Sequence, residues 1–509
     1  MQVLRRGVWA VVTCTAIVSG LASAQTAEQR AAHYLESNRN NPALLTAFLH
    51  DLPKGGDLHN HLTGSIYAED MIDWAAADNL CIDRTTSRLL GPPCDSCEHY
   101  TPKPAVRCAY GDHVLYGQII DAWSMRNAHS SEESGHDHFF ATFDKFGLTT
   151  NNHVAEAVAT VTNREGAENV HYIEFMTTAD GSNAAQLGMK LGFQSGYAGL
   201  REKLLANGLK DIIAATSQTM GENDARAHSE MKCGTPQAEP GCNVTVRYLY
   251  QVLRGLPHEA VFAQMVLGFE LASSDPRFVG LNLVMPEDTY VPTHDFKEHM
   301  EMLNYLHGIY PKAHISLHAG EIWEGLVKPE DLSYHIRASV ERGHAERIGH
   351  GVDVMLEQDA IGLLKEMAER NILVEINLTS NDVILGVSAD DHPLHAYMKY
   401  GVPTALCSDD EGVSRSDMTH EYLRGVLDQH LSYAELKQMA RQSLEHSFQP
   451  GESLWASTKE SFRPVAACAN DSPGTEKPSA NCAKFLESSE RAREQWRLEA
   501  AYAQFEQKL

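Results

Sequence analysis

A chain of 509 residues carrying 68 acidic against 42 basic side chains has a formal net charge of −26 at pH 7. It can bury a large core and exceeds the usual single-domain length, although α/β barrels reach this size by insertion. The acidic excess excludes nucleic acid and anionic membrane as partners, since both demand clustered cations, and leaves a small neutral molecule as the natural ligand.

The first 24 residues read as a secretory signal. Arg5 and Arg6 form a basic start, residues 7–21 are mostly apolar, and Ala22-Ser23-Ala24 is a small-residue cleavage site. Cleavage after Ala24 is favoured over a lipid anchor at Cys14, because Thr13 is a poor residue before a lipidated cysteine. The apolar run is short for a membrane span, and no later stretch qualifies. The mature chain, 25–509, is therefore expected to be secreted or periplasmic.

Residues 26–50 carry helix-forming Ala, Glu, Arg and Leu before the Pro53-Lys54-Gly55-Gly56 break. Eight apolar runs then read as strands, near 56–61, 169–176, 242–249, 278–284, 314–319, 347–350, 372–377 and 403–408. Helix-patterned segments such as 298–310, 329–343 and 358–370 stand between them. Strands alternating with helices in this number predict a (β/α)8 barrel in one domain over 25–509. Two polar insertions interrupt it, about 78–113 and 222–242, and no internal repeat is found. From about 448 to 509 the chain is expected to form a disulfide loop and a charged helix. That helix is expected to pack on the barrel exterior, with assembly into a homodimer as the alternative.

Export makes disulfides plausible. Cys233 with Cys242, and Cys468 with Cys482, each flank a short loop and are expected to pair. Cys81, Cys94, Cys97 and Cys108 share one insertion and allow three connectivities. Cys407, on an apolar strand, is expected to be a buried free thiol.

Four metal-ligand candidates sit at strand ends. His59 and His61 are two apart on the first run, so their side chains point to the same side and can grip one ion. His318 supplies a third nitrogen and Asp409 a carboxylate, a set suited to one zinc ion with a position left for water. Glu321, one helical turn beyond His318, is a candidate proton carrier. Barrel enzymes place their chemistry at the C-terminal ends of strands, where all of these fall.

The segments 52–62 (Leu-Pro-Lys-Gly-Gly-Asp-Leu-His-Asn-His-Leu), 317–321 (Leu-His-Ala-Gly-Glu), 347–351 (Arg-Ile-Gly-His-Gly), 377–381 (Asn-Leu-Thr-Ser-Asn) and 408–410 (Ser-Asp-Asp) together resemble those of the adenosine deaminase family of metal-dependent amidohydrolases. The likeness covers roughly 45–450. Met125-Arg126-Asn127 and the opening Leu-Pro-Lys-Gly-Gly look most like its secreted, growth-factor-related branch. The resemblance implies zinc held by His59, His61, His318 and Asp409, and hydrolysis of adenosine, with 2′-deoxyadenosine, to inosine and ammonia. It implies that Glu321 protonates the ring nitrogen beside C6, that His350 orients the attacking water, and that Asp410 holds the five-membered side of the purine. Phe140 and Phe143, in a Phe-Phe-Ala-Thr-Phe run, would close over the base.

Some of these residues have plainer readings. His350 could hydrogen-bond a loop, Asp410 could cap a helix, Glu321 could lie on the surface, and the phenylalanines could be core. His136 and His138 read as solvated loop residues. The chain also departs from the family. Thr63 stands where many members carry an Asp that contacts the ribose 5′-hydroxyl, Met285 where a glycine binds the purine through its N–H, and Glu411 where a proline follows the Asp pair. These changes bear on specificity and not on reaction class. They keep open free adenine or a 5′-modified adenosine as substrate, and more remotely a nucleoside-binding, growth-factor-like role. Cys94-Asp95-Ser96-Cys97 matches half of another deaminase zinc signature, but no His-x-Glu precedes it, and disulfides explain it better.

Overall fold

The computed structural model describes residues 25–98, 100–128, 133–193, 196–458 and 461–509. The expected signal segment lies outside them. Among the described residues no helix is long and apolar enough to cross a membrane.

Eight strands form one sheet in strictly sequential order: β1 Gly55–His61, β2 Val170–Thr177, β3 Thr245–Leu253, β4 Phe278–Val284, β5 His314–Ala319, β6 Arg347–His350, β7 Leu373–Ile376 and β8 Thr404–Leu406. Every neighbouring pair is parallel. Strands β2 and β4 are buried almost throughout, as expected of strands covered on both faces. The circle closes where a parallel bridge joins Asn60 to Asp409. There the Asp409 amide donates to the His59 carbonyl (2.8 Å), and the His61 amide donates to the Asp409 carbonyl (3.1 Å). The (β/α)8 barrel predicted from the alternation is thus the fold, and its closing seam fixes three of the candidate ligands in mutual register.

The 26–50 region is two helices, Ala27–Asn38 and Pro42–Asp51. Thr26 and Gln29 form a capping box on the first, and Asn41 caps the second with Pro42 in its opening turn. They dock on the C-terminal helix Glu490–Gln507, where the Phe48 ring meets the edge of Phe505 at 5.1 Å. Tyr502 donates to the Pro53 carbonyl (2.8 Å), and Arg441 pairs with Glu499 (2.6 Å). The C-terminal helix therefore lies on the barrel exterior, as expected.

Cys233–Cys242 and Cys468–Cys482 are bridged, and the open connectivity resolves as Cys81–Cys94 and Cys97–Cys108. Cys407 is free and buried. The expected insertion at 222–242 starts within the helix Leu209–Glu230 and ends in the stretch closed by Cys233–Cys242. Its residues are polar because one face is solvated, while Thr216, Met220 and Ala227 line the buried face. Only the disulfide-closed stretch that follows is a loop.

Candidate active site

Three imidazoles and one carboxylate converge at the C-terminal mouth of the barrel. The Nε2 atoms of His59 and His61 each lie 3.1 Å from Nε2 of His318. Oδ1 of Asp409 lies 3.5 Å from the first and 3.4 Å from the second. A regular tetrahedron with metal–nitrogen bonds of about 2.0–2.1 Å has edges of about 3.3–3.4 Å, so these spacings fit a cation of zinc size at the centre.

The outer nitrogens explain why the inner ones are free to ligate. Nδ1 of His59 faces Glu375 Oε2 (2.6 Å), Nδ1 of His61 faces Gln251 Oε1 (3.0 Å), and Nδ1 of His318 faces Asn282 Oδ1 (2.7 Å). All three partners are acceptors there, so each ring keeps its proton on Nδ1 and turns an Nε2 lone pair inward. Three lone pairs and a buried carboxylate oxygen without a hydrogen-bond donor repel one another unless a cation lies between them. Without one, burial opposes charge on His59, but Asp409 and Glu375 outweigh it and lift its pKa to about 10. Burial pushes His61 down to about 4 and His318 well below its ordinary value. His59 would give up that proton on binding a metal ion.

The sequence reading missed Glu375, Gln251 and Asn282. Glu375 and Asn282 are each the single polar residue of an otherwise apolar strand, a visible signal with no indication of its partner, whereas Gln251 shares its strand with Thr245 and Arg247. Glu375 is itself held by Arg347 (2.7 Å), which pairs with Glu174 (2.5 Å), so a fully buried ionic chain runs up to His59. Glu375→Gln is expected to weaken metal binding by about 10–100-fold, as loss of an outer partner commonly does. Competition with a chelator of known affinity measures it.

Glu321 is buried beside the cluster and is no surface residue. Burial first, then the charges of Asp409 and Glu287, push its pKa up to about 8. Its backbone is pinned because the Gly320 and Glu321 amides donate to the two oxygens of Glu287 (3.1 and 2.9 Å). Burial works against charge on Glu287, but Arg254 and His335 hold its pKa at about 2. Arg254 also donates to the His318 carbonyl (3.0 Å). Neither Arg254 nor Glu287 was singled out from sequence.

His350 Nε2 stands 3.7 Å from Glu321 and 3.9 Å from Asp409, and with His59, His318 and Asp409 it offers ligand atoms within 4.8 Å of one another. Burial holds the ring neutral, with its pKa lowered to about 4, and Nδ1 meets Asn381 Oδ1 at 3.0 Å. Both His350 and Asp409 have left-handed backbones, with φ of 66° and 60°. Such turns at strand ends cost energy and persist where tight packing holds them, commonly at functional sites.

A cavity of ≈ 840 Å³ opens above these groups. Its wall includes every residue proposed from sequence to touch substrate: Thr63, Phe140, Phe143, Met285 and Asp410. Asp410 begins the short helix Glu411–Ser414, but its side chain does not cap it. It is buried instead, against a glycine: a Cβ on Gly64 would lie 1.5 Å from its Oδ1. Phe140 and Phe143 are half-buried on the helix Gly135–Thr150, and Phe139 is core. Met285 adopts φ 90°, the conformation a glycine would favour, and its carbonyl accepts from Arg254 (3.1 Å). Glu411 is buried and paired with Arg164 (2.9 Å to Nε), which also donates to the Ser65 carbonyl (2.6 Å). His136 and His138 are not solvated loop residues. Both lie in the first turn of the phenylalanine helix, and His136 pairs with Asp288 (3.1 Å).

The fold and the converging His/Asp cluster agree with a comparison against known families: the chain belongs to the adenosine deaminase family, whose model matches residues 130–456. It is 36% identical to the adenosine deaminase of Salmonella typhi over 157 residues, 31% of this chain and 42% of that protein. It is 35% identical to that of Escherichia coli strain SE11 over 140 residues, 27% of this chain and 39% of that one. The matched stretch thus spans about two-fifths of these curated relatives. Among solved structures, the Arabidopsis N6-mAMP deaminase is 22% identical, with a TM-score of 0.51, over 79% of this chain and 96% of that one. Arabidopsis ADAL complexed with GMP is 23% identical, with the same TM-score, over 79% and 94%. These two likenesses are of fold.

Proposed function

We propose that this protein is a zinc-dependent aminohydrolase that converts adenosine, and 2′-deoxyadenosine, to inosine or deoxyinosine and ammonia. The observation that carries this reading is the convergence of three Nε2 atoms and Asp409 Oδ1 beside a buried, protonated Glu321. One zinc ion per chain, held by His59, His61, His318 and Asp409, would make water a nucleophile by lowering its pKa to about 7.

The remaining work falls to the protein's own side chains. Glu321 donates its proton to the ring nitrogen beside C6, so that the purine can accept the incoming oxygen. Neutral His350, whose Nε2 faces Glu321 and Asp409, receives the proton released by water. A new C6–O bond forms, the C6–N bond breaks, and the nitrogen leaves as ammonia with one water consumed. Asp410, kept protonated by burial and by Asp409 beside it, donates to the imidazole nitrogen of the purine. Phe140 and Phe143 cover the base and exclude water. Proton transfer by a positioned side chain commonly contributes about 10²–10⁴-fold in rate.

The growth-factor-like alternative is disfavoured, because a binder needs neither inward-facing lone pairs nor an acid at about pH 8. The four disulfides support a secreted or periplasmic protein. Zinc-loaded protein from Gln25 onward is expected to change the ultraviolet absorbance of adenosine to that of inosine. Free adenine in the same assay tests the second reading: turnover of adenine with adenosine untouched would replace the nucleoside by the base.

A further inference from the structure

The cavity is larger than the chemistry requires. At ≈ 840 Å³ it lies near the top of the range of about 300–1,000 Å³ for small-molecule sites. Its lining joins the reacting groups Glu321 and Asp409, with Thr63 and Phe143, to three further walls. These are the turn at Thr150 to Asn152, the loop after β2 from Thr177 to Gly181, and the helix Leu209–Glu230. That helix belongs to the chain added to the plain barrel, and it contributes Thr219 and Asn223 four residues apart, hence on one face.

We propose that this far end is a subsite for an uncharged, hydrogen-bonding extension on the sugar of a purine nucleoside. The proposal rests on the nucleoside reading above and names a substrate class within it. Three observations carry it. The first is orientation: with C6 at the cluster, N9 and the sugar it carries lie on the opposite edge of the purine, away from the reacting groups. The second is chemistry: Thr150, Asn152 and Thr178 donate to Gly147, Asp78 and Gln251 of the protein itself, but Thr63, Thr219 and Asn223 line the cavity beside apolar Phe143 and Met220. Such side chains both donate and accept, and they suit amides, ethers and further hydroxyls.

The third is charge. Among the described residues that line this cavity none is lysine or arginine, whereas Asp144 stands at its wall. A 5′-phosphate placed there would lose water and gain no cationic partner, a costly exchange. The helix that forms the remote wall is firmly held. Arg277 donates to the Ser217 carbonyl (2.5 Å), and Tyr248 donates to Asp224 (2.5 Å). The subsite is therefore preformed, and an extension binding there orders little further chain.

The test uses the zinc-loaded enzyme with adenosine, its 5′-monophosphate and 5′-N-ethylcarboxamidoadenosine, a neutral analogue whose 5′ amide donates and accepts. The kcat/KM for the carboxamide is expected to equal or exceed that for adenosine, and that for the monophosphate to fall at least about 100-fold below it. The double variant T219V/N223L is expected to raise KM for the carboxamide about tenfold, the loss of a hydrogen bond or two. Its adenosine kinetics should stay within about twofold, which also reports an intact fold. The subsite is overturned if the carboxamide is turned over at less than a hundredth of the adenosine rate. It is overturned equally if the monophosphate matches adenosine, or if the double variant slows both nucleosides alike. Failure to turn over any of the three compounds sinks the nucleoside deaminase reading itself, and is thereby distinguishable.

Discussion

Glu321→Gln is expected to reduce kcat by about 10²–10⁴-fold while zinc content stays at one per chain. Glutamine keeps the size and hydrogen-bonding reach of the side chain but has no proton to give at neutral pH. Glu321 is not one of the four converging groups, so its loss leaves the metal cage intact. The pH profile adds a sharper signature. The carboxyl is raised far above its ordinary value, to about 8, chiefly by burial. It acts in its protonated form, so the rate should fall tenfold per pH unit once pH exceeds that value. A bound cation favours the carboxylate, which moves this alkaline limb to lower pH. The limb should vanish from the residual activity of Glu321→Gln. A variant that loses zinc, or one that keeps the limb, would assign the proton elsewhere.

Asp409→Ala is expected to abolish both turnover and tight zinc binding. Loss of an outer partner alone costs about 10–100-fold in metal affinity, and Asp409 is an inner group, so more than about 100-fold is expected here. Its two neighbours at the seam, His59 and His61, are bonded to its backbone rather than to its side chain, so the barrel should still close. Circular dichroism separates this outcome from unfolding. Asp409→Ala that keeps stoichiometric zinc would remove the carboxylate from the ligand set.

The barrel was legible because β-strand runs in this chain are apolar on both faces and are separated by helical patterning. The ligands were legible because histidine and aspartate at the ends of such runs have little structural reason to be there. Their outer partners were not. Glu375 in Leu-Val-Glu-Ile and Asn282 in Leu-Asn-Leu-Val are equally anomalous, yet each meets a histidine of another strand, Asn282 from the neighbouring one and Glu375 from two strands away, a contact no local pattern encodes. Arg254 and Glu287 were hidden for the same reason: their 3.7 Å pairing joins the ends of two strands. The helix Leu209–Glu230 was not picked out in the sequence, because its solvated face resembles loop composition. The pairing of Cys81, Cys94, Cys97 and Cys108 depends on the fold of the insertion, which spacing alone leaves open. The family departures read differently in three dimensions. Glu411 acquires Arg164 as a partner, Met285 takes the glycine-like backbone turn, and Thr63 opens onto the larger cavity.

The most direct test of the central claim is to titrate metal-free protein with zinc while following zinc bound per chain and the ultraviolet change of adenosine. The account predicts no turnover without metal, a rate that rises in proportion to occupancy, and saturation at one zinc per chain. Full adenosine turnover by the metal-free protein, or a stoichiometric zinc complex with no turnover of any aminopurine, would contradict it.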